Sequence, residues 1–210
     1  MPNIGITLTA LATVALLMVP AGATRMWKQP APPTKSGDPQ EQAMDYVHIM
    51  DFRGPDDLVS VQWLPPLAMR VEPELKALFG QYVVIAVAHV SYSPNSETVD
   101  AHPDEMPVAL DSGGHALQLV ADTDLPRSLA NLLVRKRELA RSATPPDNVG
   151  PAPGRMRNLL IGYVRNLRFY AFRAGAMHEC DAGRLTIGFA RENYTFDTPL
   201  PGCAAPSAAQ

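Results

Sequence analysis

The stretch Tyr82 to Tyr92, YVVIAVAHVSY, constrains the fold more than any other part of the chain. Read as a strand, it places Val84, Ala86, Ala88 and Val90 on one face and Val83, Ile85, Val87 and His89 on the other. Successive strand side chains point to opposite faces, so apolar residues on both demand a layer on each side. The segment is therefore expected at the centre of a sheet, becoming more polar toward its end.

Its neighbours read as further short strands. Asp45 to Asp51, DYVHIMD, is one. Leu58 to Leu64 follows the turn Gly54-Pro55-Asp56-Asp57 and shows the apolar face Val59, Val61 and Trp63, with Trp63 either in the core or exposed as an anchor. Pro65 and Pro66 stop it, having no amide hydrogen for a ladder. Val108–Leu110 and Ala116–Val120 flank Asp111-Ser112-Gly113-Gly114-His115 as a hairpin. Phe169–Met177 and Arg184–Ala190 are expected to pair around His178 to Gly183, with Tyr194-Thr195-Phe196 as the last strand.

Two helices stand out. Val71 to Phe79 carries proline in its first turn, and Leu125 to Ser142 carries the stripe Leu125, Leu129, Leu132, Leu133 and Leu139. Met156 to Arg173 fits either period. Gly162 and Asn166 weaken a single helix and the alternating aromatics favour strands, so strands are expected there. Pro94 to Pro107 reads as a surface loop. The class implied is mainly β, an antiparallel β-sandwich or twisted sheet with two short accessory helices.

The N-terminus speaks to compartment. Ile4 to Val19 is apolar, and no charged side chain precedes Arg25. As a helix it would span roughly 24 Å, short of a hydrocarbon layer about 30 Å thick. Pro20 and the small residues Ala21-Gly22-Ala23 then match a secretory signal cut after Ala23. The alternative is an uncut anchor running through Ala23. Residues 1–23 are thus read as signal peptide or membrane anchor, 24–43 as a flexible proline-bearing tether, 44–198 as a β-rich extracytoplasmic domain, and 199–210 as an irregular tail. The expected location is periplasmic or otherwise extracytoplasmic, held at the inner membrane by residues 4–23 if these are retained. An oxidising compartment would join Cys180 to Cys203, the only two cysteines.

Composition removes several functions. A formal charge of −3 excludes a globally basic nucleic-acid binder. Gly113-Gly114 sits between strands, not at the strand-to-helix junction where helix amides hold phosphate, which argues against a dinucleotide site. Ser112 lacks the Gly-x-Ser-x-Gly elbow of a hydrolase. The chain is accordingly read as non-catalytic. Asp100, His102 and Asp104, with Glu97 and Glu105, read as a solvated acidic loop.

Charge is polarised along the chain. Glu97 to Asp124 holds seven acids and no Lys or Arg, whereas Arg135 to Arg184 holds ten basic residues against four acids. The arginines are interleaved with aromatics, a combination suited to protein interfaces. Arg165, Arg168, Tyr170 and Arg173 are expected to bind a protein partner, with anionic lipid as a lesser contact and no nucleic acid. The leading expectation is an exported accessory subunit of an envelope or membrane complex, without cofactor. The alternative is a periplasmic copper-binding protein using His48, Met50 and His178, since thioether and imidazole are soft enough for Cu(I).

Overall fold

The computed structural model describes residue 43 and residues 46–69, 71–142 and 154–203. The apolar N-terminal run, the tether apart from Ala43, and the end of the tail lie outside the described residues. Nine strands and three helices follow in order: β1 (His48–Phe52), β2 (Asp57–Trp63), α1 (Pro73–Phe79), β3 (Tyr82–Ser93), β4 (Thr98–Ala101), β5 (Val108–Leu110), β6 (Leu119–Val120), α2 (Arg127–Ser142), α3 (Gly154–Arg165), β7 (Arg168–Arg173), β8 (Gly183–Phe189) and β9 (Glu192–Thr198). They form two antiparallel sheets, one of six strands and one of three.

As its two apolar faces require, β3 is the centre of the larger sheet. It pairs with β2 along one edge, from Asp57↔Ser91 to Trp63↔Ile85. Its other edge is shared: β7 takes the first half, from Tyr82↔Arg173 to Val87↔Arg168, and β4 takes the second, from Val90↔Ala101 onward. One face packs on the small sheet, burying Val59, Val61, Trp63, Ile85 and Phe172 against Leu185, Ile187, Tyr194 and Phe196. The other face is covered by helices, through Phe79, Leu129, Leu133 and Phe169 in one cluster and Leu58, Val90 and Leu159 in another. Each such side chain contributes about 1.5–3 kcal/mol when fully buried, so the layer on each side is what holds β3 in place. Trp63 is 2% exposed and lies 6.1 Å from the Phe196 ring, which makes it a core residue rather than an anchor.

Several expectations need correction. Residues 154–173 are not all strand: α3 comes first, and β7 follows. The two residues that weakened the helix serve it. Gly162 faces Val99 so closely that a Cβ would run into Val99 Cγ1, so glycine lets the helix lie down on β4. Asn166 ends the helix, its backbone N–H donating to the Gly162 carbonyl at 3.1 Å and its side-chain amide at 2.8 Å. The described residues therefore hold three α-helices, not two. The acidic loop contains β4. The hairpin around Gly113-Gly114 is reduced to the bridge Leu110↔Ala116, because β5 pairs with β8 and β6 with β7. Ala109 is buried between the sheets and Val120 under the helices, so this segment crosses from one sheet to the other.

The expected pairing of β7 with β8 also fails. Phe169 and Ala171 face the helices while Tyr170 and Phe172 face the small sheet, so β7 belongs inside the large sheet. Only one face of β8 is buried, and it pairs with β5 and β9. Packing also runs past both predicted boundaries. Ala43, assigned to the tether, and Leu200, assigned to the tail, are both buried in the core between the sheets. The predicted disulfide Cys180–Cys203 is present. No helix among the described residues is long and apolar enough to cross a membrane.

Candidate functional site

A groove of about 440 Å³ runs along the side of the large sheet where β6 is the last strand. It exists because β6 has only two residues. Leu119 and Val120 cover Phe172 and Ala171, while the Arg168–Tyr170 stretch of β7 is paired with β3 alone among the described residues. Arg137 of α2 reaches over this open edge. One of its amino groups donates to the Phe169 carbonyl at 3.0 Å, and the other donates to Asp122 at 2.8 Å. Arg141, one turn further along α2 and exposed, also lines the groove with Arg168, Tyr170 and Leu119. Arg137 is thus bonded to Asp122, the one acid among the groove's lining residues, while Arg141 and Arg168 also line it and Tyr170 and the 39% exposed Leu119 supply apolar surface.

This arrangement divides the arginine set expected from sequence. Arg168 and Tyr170 are in the groove, with the Arg168 guanidinium donating to the Pro103 carbonyl. Arg165 is exposed at the end of α3 and does not line it. Arg173 lies at the far end of β7, donating to the Tyr82 hydroxyl at 3.0 Å with its guanidinium carbon 5.1 Å from that ring. Arg137 and Arg141 were missed as site residues because α2 precedes β7 by some thirty positions, and only tertiary packing brings them together.

The copper set is divided as well. His48 and Met50 share the helix-facing side of β1. The His48 ring nitrogen Nε2 is 3.0 Å from Ser60 Oγ, the ring is 6.4 Å from Tyr163, and Met50 packs on the cluster around Leu159. Burial pushes the His48 pKa below its usual value. His178 lies on the β7–β8 connection, whose neighbouring Met177 packs between the two sheets. Its Nδ1 accepts the Cys180 amide hydrogen at 3.3 Å, and the Cys180 sulfur is in the disulfide. Ser112 has a bracing role, its hydroxyl accepting from the Arg184 amide at 2.7 Å and donating to the Arg184 carbonyl at 3.2 Å.

A second polar constellation is built across β2, β3 and the residues after β4. Asp57 pairs in register with Ser91, and the His102 amide donates to the His89 carbonyl at 3.0 Å. Two paired strands and the segment that leaves β4 therefore present their side chains together. The His89 nitrogen Nε2 is 2.9 Å from Asp57 Oδ1, and its Nδ1 is 2.7 Å from Glu105 Oε2. The Ser91 hydroxyl donates to Asp57 Oδ1 at 2.9 Å and lies 2.8 Å from His102 Nε2. The His89 and His102 rings stack with centroids 4.1 Å apart. His102 and Glu105, read from sequence as part of a solvated loop, are here bound into a network.

No protein-family model, no curated protein and no solved structure gives a match to this chain, so the side chains themselves carry the functional reading.

Proposed function

We propose that this chain is an exported, non-catalytic accessory domain of an envelope or membrane complex, and that its groove beside β6 and β7 receives an acidic segment of a protein partner. The observation that carries this is the charge of the groove's lining: Arg137, Arg141 and Arg168 line it beside Tyr170 and Leu119, with Asp122 as the one acid among the lining residues. Arginine forks match carboxylates in a bidentate fashion, and charge complementarity of this kind sets partner choice and encounter rate. The Cys180–Cys203 bond supports an oxidising compartment, in keeping with the apolar N-terminal run.

The test uses the full-length chain and three probes: an acidic peptide carrying aromatic residues, the same peptide with its acids changed to amides, and vesicles containing phosphatidylglycerol. Salt-sensitive binding of the acidic peptide alone, weakened roughly tenfold or more by Arg141→Glu or Arg168→Ala, is the expected result. Binding to the vesicles but not to the peptide, or equal binding of both peptides, overturns the proposal.

A further inference from the structure

We propose that Asp57, His89 and His102 form a binding site for one divalent first-row transition-metal ion of the zinc class, with Glu105 orienting His89 from behind. One ligand atom from each of the three residues lies within 4.8 Å of the other two. A tetrahedral zinc ion, with ligand bonds of about 2.0–2.1 Å, holds its donors roughly 3.3 Å apart, so small side-chain adjustments complete the set. Two imidazoles and one carboxylate are borderline donors. They suit zinc and its neighbours better than Cu(I), which prefers sulfur, or calcium, which takes six or more oxygens.

The hydrogen bonds around His89 point the same way. Both of its ring nitrogens face carboxylate oxygens, Nε2 toward Asp57 and Nδ1 toward Glu105. An imidazole bound to a metal through Nε2 carries its one N–H on Nδ1. A cation shared by Nε2 and Asp57 satisfies that side, leaving Nδ1–H to donate to Glu105. This is the carboxylate–histidine–metal pattern that fixes the tautomer and ring orientation of a metal-bound histidine. The stacked rings bring the second imidazole beside the first. His102 and Asp57 are on the rim, so the ion has access from solvent and positions left for water.

Paired strands carry part of the site. His89 and Ser91 project from the central strand, and Asp57 comes from its paired neighbour. Arg168 holds the Pro103 carbonyl beside His102, while Glu105 closes the far side of His89. A cleft with room for about one water lies between His89, His102, Glu105 and Arg168.

The experiment is equilibrium dialysis and calorimetry of the full-length chain with zinc chloride. One equivalent is expected to bind, and thermal unfolding is expected to shift upward with zinc. His102→Ala, at an exposed position, keeps the near-ultraviolet dichroism of the native fold and loses the bound equivalent. Glu105→Gln weakens binding by about 10- to 100-fold without removing it. His48→Ala and His178→Ala bind as the parent does. The proposal is overturned by an absence of bound zinc in the parent chain, by undiminished binding in His102→Ala, or by loss of binding in the His48 or His178 variant with this site intact. None of these outcomes depends on the groove.

Discussion

Arg53 donates a hydrogen bond of 2.8 Å to the hydroxyl of Tyr194, tying the end of β1 to β9 in the other sheet. The Tyr194 hydroxyl in turn donates to Asp51 Oδ2 at 3.0 Å, which also accepts from Arg53 Nε at 3.2 Å. Asp51 is 1% exposed and its second oxygen has no partner among the described residues. Burial pushes the Tyr194 phenol well above its ordinary range, and the Arg53 charge offsets part of this. The hydroxyl therefore stays a donor. Tyr194→Phe keeps the ring but leaves the buried carboxylate with only Arg53, and should destabilise the fold by about 1–3 kcal/mol. Urea unfolding at pH 7 measures this; an unchanged midpoint would show that the triad contributes nothing to the join between the sheets.

Replacing Gly162 sets two effects against each other. Alanine inside a helix gains roughly 0.5–1 kcal/mol over glycine, yet its Cβ collides with Val99 on β4. Overpacking of this kind costs about 1–3 kcal/mol, so Gly162→Ala should lower the melting temperature. The additional change Val99→Ala should restore part of the loss relative to Val99→Ala alone. Strict additivity of the two substitutions would contradict the close approach of α3 to β4.

His48 gives a pH dependence whose direction is set by burial. Its pKa is lowered in the fold, so as pH falls below about 6.5 the unfolded chain takes up a proton before the folded one. The His48 contribution is thus fully present above that value and is lost as pH drops toward the lowered folded value. His48→Gln, which can still meet Ser60, should flatten the fall in unfolding free energy between pH 7.5 and 5.5. Equal slopes for parent and variant would remove His48 as the source.

Legibility in the sequence followed local periodicity. The interior position of β3 was readable because its two faces carry their own signature. Likewise α1 and α2 announce themselves by proline and leucine spacing, although Leu139, counted in the α2 stripe, is 69% exposed. The meaning of Gly162 was not readable, since a glycine that weakens a helix in isolation is the residue that lets it touch Val99. Pairing partners were equally hidden. Nothing local to 108–120 says that one half joins β8 and the other β7. The same holds for the candidate sites, in which Asp57 and His89 come from two strands and His102 from the segment after a third, and Arg137 and Arg168 from a helix and a strand. Their meeting is a matter of register.

Cys180 precedes β8 and Cys203 follows β9, so the sulfur–sulfur link turns that hairpin into a covalent ring. Fraying from the C-terminal end must stop at Cys203. If the outer layer detaches from β5 and from the large sheet, β8 and β9 leave as one closed loop, their own pairing still constrained, and can settle back without searching for each other.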